Sequence, residues 1–403
     1  MSDIITIADE ATLAEAVTAA LRENTTLDIV GRGSKRGLGR PSQTDRTLDV
    51  SGLSGVMLYE PEELILSAKA GTPMAEIETL LAERGQMLAF EPMDYGPLLG
   101  GAPGAGSIGG VFACNLSGPR RISHGAARDH ALGARAVSGR GEVFKSGGRV
   151  VKNVTGYDLP RLLAGSYGTL GVLSEVTLKV LPRPATQETV ILPGVTPETA
   201  GRAMSAAMGS SCEISGAAFL PAGIGARIPA LDVDGPVVVL RLEGVAPSVR
   251  ARRAMLISVL MPFGAVEAID DEPSLALWAA IRDVQPFAGT GDRAVWRLST
   301  APAGGPLLAA KLAADLGAEA FCDWAGGLIW LLLPGEAAMG DQVRATLAPF
   351  GGHATLVRGT LAERIGTPVF QPLESALGAL TARVKHSFDP NGLLNPGRMY
   401  AGV

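Results

Sequence analysis

Gly31-Arg32-Gly33-Ser34-Lys35-Arg36-Gly37-Leu38-Gly39 sets four glycines and three cations within nine positions. Glycine accepts φ > 0, so consecutive backbone N–H groups in such a loop can turn inward as a nest for an anion. Arg32, Lys35 and Arg36 add positive charge, and the chemistry this suits is the holding of a pyrophosphate. The two common nucleotide motifs are not the means. The dinucleotide fingerprint Gly-x-Gly-x-x-Gly fails because its sixth position is Arg36, and the following LGRPSQTDR lacks the apolar periodicity of a helix offering its N-terminus. A Walker A loop is absent as well. Alone, a basic glycine turn also reads as a solvated surface loop.

A second stretch runs Pro103-Gly104-Ala105-Gly106-Ser107-Ile108-Gly109-Gly110-Val111-Phe112-Ala113-Cys114-Asn115-Leu116-Ser117-Gly118. Its small residues let backbone approach a planar ligand closely, and Ser107, Asn115 and Ser117 supply the few placed polar groups that a mostly apolar pocket needs. Without context it reads equally as a structural crossover. Metal chemistry has less to work with. Cys114, Cys212 and Cys322 are far apart with no CxxC pair, which argues against disulfides, an iron–sulfur cluster or a thiolate zinc site. Any electron carrier must then be organic or borrowed. His353 and His386 stand alone in the C-terminal half, without an HxxE or HxH pattern, so no metal site is expected. Sequons at Asn24, Asn115 and Asn153 are read as chance.

The elements that must hold these loops follow from periodicity. A strand at 4–7 precedes a helix in which Thr12 and Glu15 form a capping box and Leu13, Ala16, Val17 and Leu21 share a face. The strand 27–30 feeds the first loop. A strand at 64–70 leads through Thr72-Pro73, as N-cap and N1, into a helix ending near Gly85. The glycine density of 96–118 predicts loop and tight turn, since a helix there would carry large propensity penalties. Strands at 131–138, 142–145 and 172–180 and a helix around 157–164 complete a first domain that Pro182 and Pro184 close. Beyond it, strand-like runs (237–242, 295–298, 328–333) alternate with helix-like runs (198–208, 248–261, 307–316, 342–349), then a helix at 373–385 and the terminal FDPNGLLNPGR. The reading is α+β, with domains at 1–184 and 185–370 and a segment 371–403 returning to the first.

Composition bounds the function. With 47% hydrophobic and 19% charged residues the chain is globular, and its net charge of -5 gives no general attraction to nucleic acid or an anionic membrane. No apolar run approaches the roughly 20 residues needed to span a bilayer. The acidic start MSDIITIADE lacks a secretory h-region, so a cytoplasmic location is expected.

Four elements now stand in order: strand–Gly31-Arg32-Gly33, PGAGSIGG with NLSG four residues on, Gly168-Thr169-Leu170-Gly171-Val172-Leu173-Ser174-Glu175, and FDPNGLLNPGR. This set resembles the FAD-linked oxidase family of the vanillyl-alcohol-oxidase (PCMH) type. Within it, LSGPRR followed by KNVTGYDLPRLLAGSYGTLGVL is most similar to the smaller flavoprotein (E) subunits of bacterial glycolate oxidases. The resemblance covers the first domain and the terminal segment, while the middle matches in layout.

The resemblance implies a two-domain PCMH-type FAD-binding fold with an α+β cap domain. It implies Arg32, Gly33, Ser34 and Lys35 at the diphosphate, and Ser107, Gly109, Gly110, Asn115, Ser117 and Gly118 at the flavin and its ribityl chain. Gly171 and Val172 would meet the cofactor at the GTLGV element, and Asn395 would sit near the ring. Many relatives tether FAD through a histidine in the first loop. Gly33 to Arg36 hold none, and His124 and His130 are disfavoured by position, so noncovalent FAD is expected. Relatives that oxidise 2-hydroxy acids carry a histidine- and glutamate-rich metal motif that is missing here, and no catalytic residue is named. Arg120 and Arg121 are candidates for an anionic substrate or partner, Tyr157 and Asp158 for the flavin face.

The implied function is that of an FAD-binding subunit of a glycolate oxidase complex, supporting oxidation of glycolate to glyoxylate. The implied partners are a larger FAD-containing subunit and an iron–sulfur subunit, with membrane association only through partners. Two alternatives stay open: a self-sufficient FAD-dependent dehydrogenase for D-lactate or another 2-hydroxy acid, and an assembly subunit with a vestigial flavin fold.

Overall fold

Asp9 starts the first helix, Glu10–Glu23: its carboxylate accepts the Thr12 N–H at 2.8 Å, and the Thr12 hydroxyl takes the Asp9 N–H at 3.3 Å. The expected cap at Thr12 therefore lies at Asp9 instead, because a carboxylate answers both the free N–H groups and the positive end of the helix. Leu13, Val17 and Ala20 leave one face of this helix and join Leu27, Leu48 and Val50 in a buried cluster. Burying a side chain of the Leu or Val type stabilises by about 1.5–3 kcal/mol. This computed structural model describes residues 3–148, 156–233 and 235–403; Asn153, with the start of the KNVTG run, lies outside them.

The chain divides into two compact units. The first holds Met1–Ser117, Gly125–Arg183 and Pro372–Val403, the second Gly118–His124 and Pro184–Gln371. In the first, β1 (Asp3–Thr6), β2 (Leu27–Val30) and β3 (Arg46–Asp49) form a parallel sheet in the order β1-β3-β2. Next come β4 (Val56–Glu60), β5 (Ile65–Lys69), β6 (Gln86–Met87), β7 (Ala131–Val137), β8 (Val143–Gly147), β9 (Val172–Lys179) and β10 (Leu181–Pro182). β6 pairs with β10, and the other five form an antiparallel sheet in the order β4-β5-β9-β7-β8. Thr72 does not cap the following helix, Met74–Ala82; Pro73 holds that place, and the Thr72 hydroxyl donates to Lys69 O at 2.7 Å.

The glycine-rich stretch is not loop throughout. A helix, Ile108–Ala113, runs through Gly109 and Gly110. It forms against propensity because its first turn is anchored elsewhere: Ile108 N–H donates to Thr72 O at 3.0 Å and Gly109 N–H to Ala70 O at 2.8 Å. A Cβ on Gly109 would come within 2.7 Å of Ala70 O, so only glycine lets the helix lie so close to the chain leaving β5.

The second unit is one antiparallel sheet with helices. Its strands are β11 (Thr186–Pro193), β12 (Gly216–Leu220), β13 (Val237–Gly244), β14 (Glu267–Asp270), β15 (Val295–Ser299), β16 (Glu319–Asp323), β17 (Leu328–Leu332) and β18 (His353–Arg358), ordered β14-β11-β13-β12-β16-β17-β15-β18. Alternate residues of β13 (Val238, Leu240, Leu242) and β15 (Trp296, Leu298) enter a core with Ala203 and Met204 of the helix Pro197–Met208 and Leu308 and Leu312 of the helix Gly305–Leu316. Their neighbours Val239, Arg241 and Arg297 therefore belong to the opposite face. Among the described residues no helix is long and apolar enough to cross a membrane.

Candidate cofactor site

β2 ends at Val30 and delivers Gly31 to a half-open cleft in the first unit, about 780 Å³ counting the part open to solvent. The two glycine loops meet there. A Cβ on Gly31 would lie 2.9 Å from Ser107 Oγ, and one on Gly106 would lie 3.1 Å from Lys35 Nζ. Gly33 has φ +77° with nothing near its missing Cβ, so its need is conformational and not steric. Arg32 is exposed and makes no ion pair with a described residue, whereas Arg36 is paired with Asp28. Lys35 Nζ donates to Ser34 Oγ at 3.1 Å, and desolvation lowers its pKa against the opposing pull of Cys114 and Asp94. A cation withdrawn from water whose hydrogen-bond partner among the described residues is a hydroxyl suits an anion in the cleft.

The terminal segment builds the other wall. Asp389 accepts the N–H groups of Leu393 at 3.0 Å and Leu394 at 2.8 Å, and Lys385 Nζ at 2.6 Å. Lys385 also donates to Thr169 O at 2.7 Å and Leu394 O at 2.9 Å, which ties this segment to the GTLG turn. Leu27 and Leu394 bridge in parallel, so the segment extends along β2. Asn395 follows: its Oδ1 accepts Ile29 N–H at 2.8 Å and its Nδ2 donates to Tyr167 O at 2.7 Å. Expected near the ring, Asn395 lines the cleft, yet its amide is committed to clamping β2 against the Gly168 turn.

Of the residues expected at the cofactor, Arg32, Gly33, Ser34, Lys35, Ser107, Gly109, Gly110, Gly171 and Asn395 all line this cleft. Asn115, Ser117, Gly118 and Val172 are not among its lining residues. The reasons are local. Asn115 Oδ1 accepts Arg128 N–H at 3.0 Å and Ser117 Oγ accepts Ala127 N–H at 2.9 Å, so both fasten the loop instead. Val172 is buried and paired with Val137, and Gly118 belongs to the second unit, where its carbonyl accepts Trp324 Nε1 at 3.0 Å.

Sequence reasoning missed Arg398, Tyr167 and Cys114, which also line the cleft. Arg398 Nη2 donates to Arg36 O at 3.1 Å and its own carbonyl accepts Arg40 N–H at 2.8 Å, bracing the first loop from the far end of the chain. Its signal was its place as the last residue of FDPNGLLNPGR, where the asparagine drew the attention. Tyr157 is exposed, and Asp158 caps the helix Leu159–Leu163, accepting Arg161 N–H at 3.3 Å. In the second unit Arg120 is spent on Glu243, contacting it at 2.6 Å; although burial opposes ionisation, Arg241 and Arg120 hold the Glu243 carboxyl at about 2.

A cleft lined by glycines from two loops, with desolvated positive charge at one end, on this two-unit fold defines an FAD-binding oxidoreductase of the PCMH type. The FAD binding domain model FAD_binding_4 matches residues 2–147. A solved structure of p-cresol methylhydroxylase with substrate bound shares the fold, with TM-score 0.74 at 13% identity over 99% of this chain and 88% of that one. More narrowly, the chain belongs to the family of glycolate oxidase subunit GlcE. It is 36% identical to the Escherichia coli (strain K12) protein of that name over 390 residues, 96% of this chain and 97% of that protein. Glycolate oxidase subunit GlcD of Bacillus subtilis (strain 168) is 30% identical over 166 residues, 40% of this chain and 34% of that one.

Proposed function

We propose that this chain is the FAD-binding subunit of a glycolate oxidase complex and supports the oxidation of glycolate to glyoxylate. The observation that carries this reading is the 36% identity to GlcE over nearly the whole of both chains. When bound, FAD supplies two-electron acceptance at a carbon bearing a hydroxyl and stepwise release to one-electron carriers. This chain's residues would hold it: Arg32, Gly33, Ser34 and Lys35 at the diphosphate, Ser107, Gly109, Gly110 and Gly171 along the ribityl chain and ring. Asn115, Ser117, Gly118 and Val172 would act by shaping the second loop and the entry to β9. Attachment is noncovalent in this reading. No histidine lies among the cleft's lining residues, and burial pushes the Cys114 thiol up, which keeps it protonated and a poor nucleophile.

The partners in this proposal are a larger FAD-containing subunit, which carries the proton-abstracting groups, and an iron–sulfur subunit, because three isolated cysteines offer no cluster ligands. The complex would reside in the cytoplasm, meeting a membrane through its partners. The test is affinity purification at native expression, followed by an absorbance spectrum, partner identification and glycolate-dependent dye reduction. The expected result is flavin released by acid precipitation, two co-purified partners, and turnover by the complex but not by this chain alone. Turnover by the isolated chain at the rate of the complex would overturn the subunit reading.

A further inference from the structure

Asn395 divides the end of the chain into two stretches held in different ways. Before it, Leu393 and Leu394 are buried with Leu27, Leu48 and Val50, and the Lys385–Asp389 pair fixes the turn that leads to them. Beyond it, residues 396–400 are half-buried and Ala401 and Gly402 exposed, and Val403 is buried again. The helix Ser375–Phe388 adds little grip, since Lys385 is its buried residue while Leu377 and Leu380 are exposed. Asn395 has φ +43° and Gly397 φ +73°. An L-residue held in the left-handed region marks the joint between anchored and lightly held chain. Past that joint the tip curls on itself, Gly397 N–H donating to Val403 O at 2.9 Å and Val403 N–H to Tyr400 O at 3.0 Å. It reaches the first glycine loop through Arg398, whose carbonyl accepts Arg40 N–H at 2.8 Å and whose Nη2 donates to Arg36 O at 3.1 Å and Lys35 O at 3.4 Å. Few buried apolar side chains and partly exposed hydrogen bonds put such a segment at the low end of local stability.

Closing this tip on the loop also gathers like charge. Arg32, Lys35, Arg36 and Arg398 all line the cleft. The carboxylates that answer them among the described residues are Asp28, paired with Arg36 and 4.0 Å from Arg398, and Asp94, whose charge opposes the desolvation of Lys35. Lys35 and Arg398, from opposite ends of the chain, both act on the Cys114 thiol, so their charges face the same part of the cleft. Four cations against two carboxylates leave a positive surplus where water is partly excluded and repulsion is weakly screened. A dinucleotide diphosphate carries two negative charges. Its presence turns the approach of Arg398 to the loop from unfavourable to favourable, because each guanidinium and ammonium then faces an anion.

We infer that residues 396–403 form a clasp, pivoting at Asn395, that closes on the first glycine loop when a dinucleotide diphosphate occupies the cleft and opens to release it. Arg398 is the positioning residue of the clasp: it holds the carbonyls of Lys35 and Arg36 and adds its charge to theirs. Leu393, Leu394 and the Lys385–Asp389 pair are the fixed mount, and they stay in place when the clasp opens. Loading and loss of the cofactor are then timed by the end of the chain. The inference rests on the reading of the cleft as the FAD site, and it does not need the glycolate oxidase assignment.

The experiment is hydrogen–deuterium exchange of the full-length protein, read by mass spectrometry with FAD bound and after its removal, together with the rate of FAD dissociation followed by fluorescence. The expected result is exchange slowed about tenfold or more in residues 396–403 and 33–40 when FAD binds, and level in β15 and β17 of the second unit. Gly397 and Val403 are not among the residues lining the cleft, so protection of their amides reports closure and not contact with the cofactor. In Arg398→Met the tip should exchange equally fast with and without FAD, and FAD should dissociate about tenfold faster or more, while β15 and β17 stay protected, which a general loss of stability would not give. Should Arg398→Met fail to fold, Asn395→Gly keeps the left-handed backbone and deletes the bonds to Ile29 and Tyr167, and the same two changes are expected. Arg383→Gln, at an exposed position of the helix Ser375–Phe388, should change neither. Equal exchange of the tip in the two states of the wild type, or unchanged FAD dissociation in the folded Arg398 variant, would overturn the clasp. Failure of the wild type to take up FAD overturns the cleft reading and the clasp with it, whereas FAD uptake with an unresponsive tip sinks the clasp and leaves the cleft reading standing.

Discussion

Replacing Asp389 by Asn removes one charge and leaves the side chain's shape. The carboxylate is fully buried and serves three donors, Leu393 N–H on Oδ1 and both Leu394 N–H and Lys385 Nζ on Oδ2. An amide presents one oxygen and one NH2, so whichever way it is turned at least one N–H meets a donor. The larger effect falls on Lys385, whose pKa burial already lowers and whose counter-charge among the described residues is Asp389. Breaking a buried pair from one side costs about 3–5 kcal/mol, because the remaining charge stays in a poor solvent for it. The Lys385 bonds to Thr169 O and Leu394 O are what tie the terminal segment to the GTLG turn, so Asn395 and Arg398 lose their footing with it. Asp389→Asn should therefore lower unfolding free energy by about 3–5 kcal/mol in urea titration and raise the FAD dissociation constant more than tenfold in fluorescence titration. Lys385→Met combined with Asp389→Asn should recover part of the stability, since neither charge is then stranded. A single-variant loss below about 1 kcal/mol with unchanged FAD affinity would refute the view that this pair holds the cofactor wall.

Three further outcomes follow from the same geometry. Lys35→Met removes a desolvated cation, so the apoprotein should melt at the same or higher temperature while FAD binds at least tenfold more weakly; a fall in both would mean that Lys35 is structural. Gly109→Ala should abolish flavin binding and cost about 1–3 kcal/mol from the 2.7 Å clash with Ala70 O, whereas Gly33→Ala, with open space but φ +77°, should cost about 1 kcal/mol and weaken FAD moderately; scanning calorimetry and flavin absorbance compare them. Glu243, held at about 2 against a usual 4.5, contributes stability that is full above pH 4.5 and is lost as pH falls through about 2, some 3 kcal/mol in all. Denaturant titrations at pH 5 and pH 2.5 should show that loss, and Glu243→Gln should be less stable at pH 5 but flatter across the interval.

How much of this was legible before any coordinates depends on how local each signal is. β2 and β9 were readable because apolar runs of strand length abut a glycine loop. The helices Pro197–Met208 and Gly305–Leu316 were readable from their 3.6-residue spacing. β12, GAAFL, and β16, EAFCD, were not, since small residues carry no strand preference and are strands here only because neighbours on both sides pair with them. The helix at Ile108 was misread for the opposite reason: two glycines argue against a helix locally, and only the approach of Ala70 shows why they stand there. The cleft residues fall along the same division. Glycine in a loop announces either close approach, as at Gly109, or φ > 0, as at Gly33, and both positions line the cleft. An arginine such as Arg398 or Arg297 looks on paper like any surface cation, and its meaning depends on carbonyls or rings supplied by residues hundreds or tens of positions away. What a sequence withholds here is which polar groups already have partners, and that distinction separates Arg120, satisfied by Glu243, from Arg297, whose Nε is buried without an acceptor among the described residues.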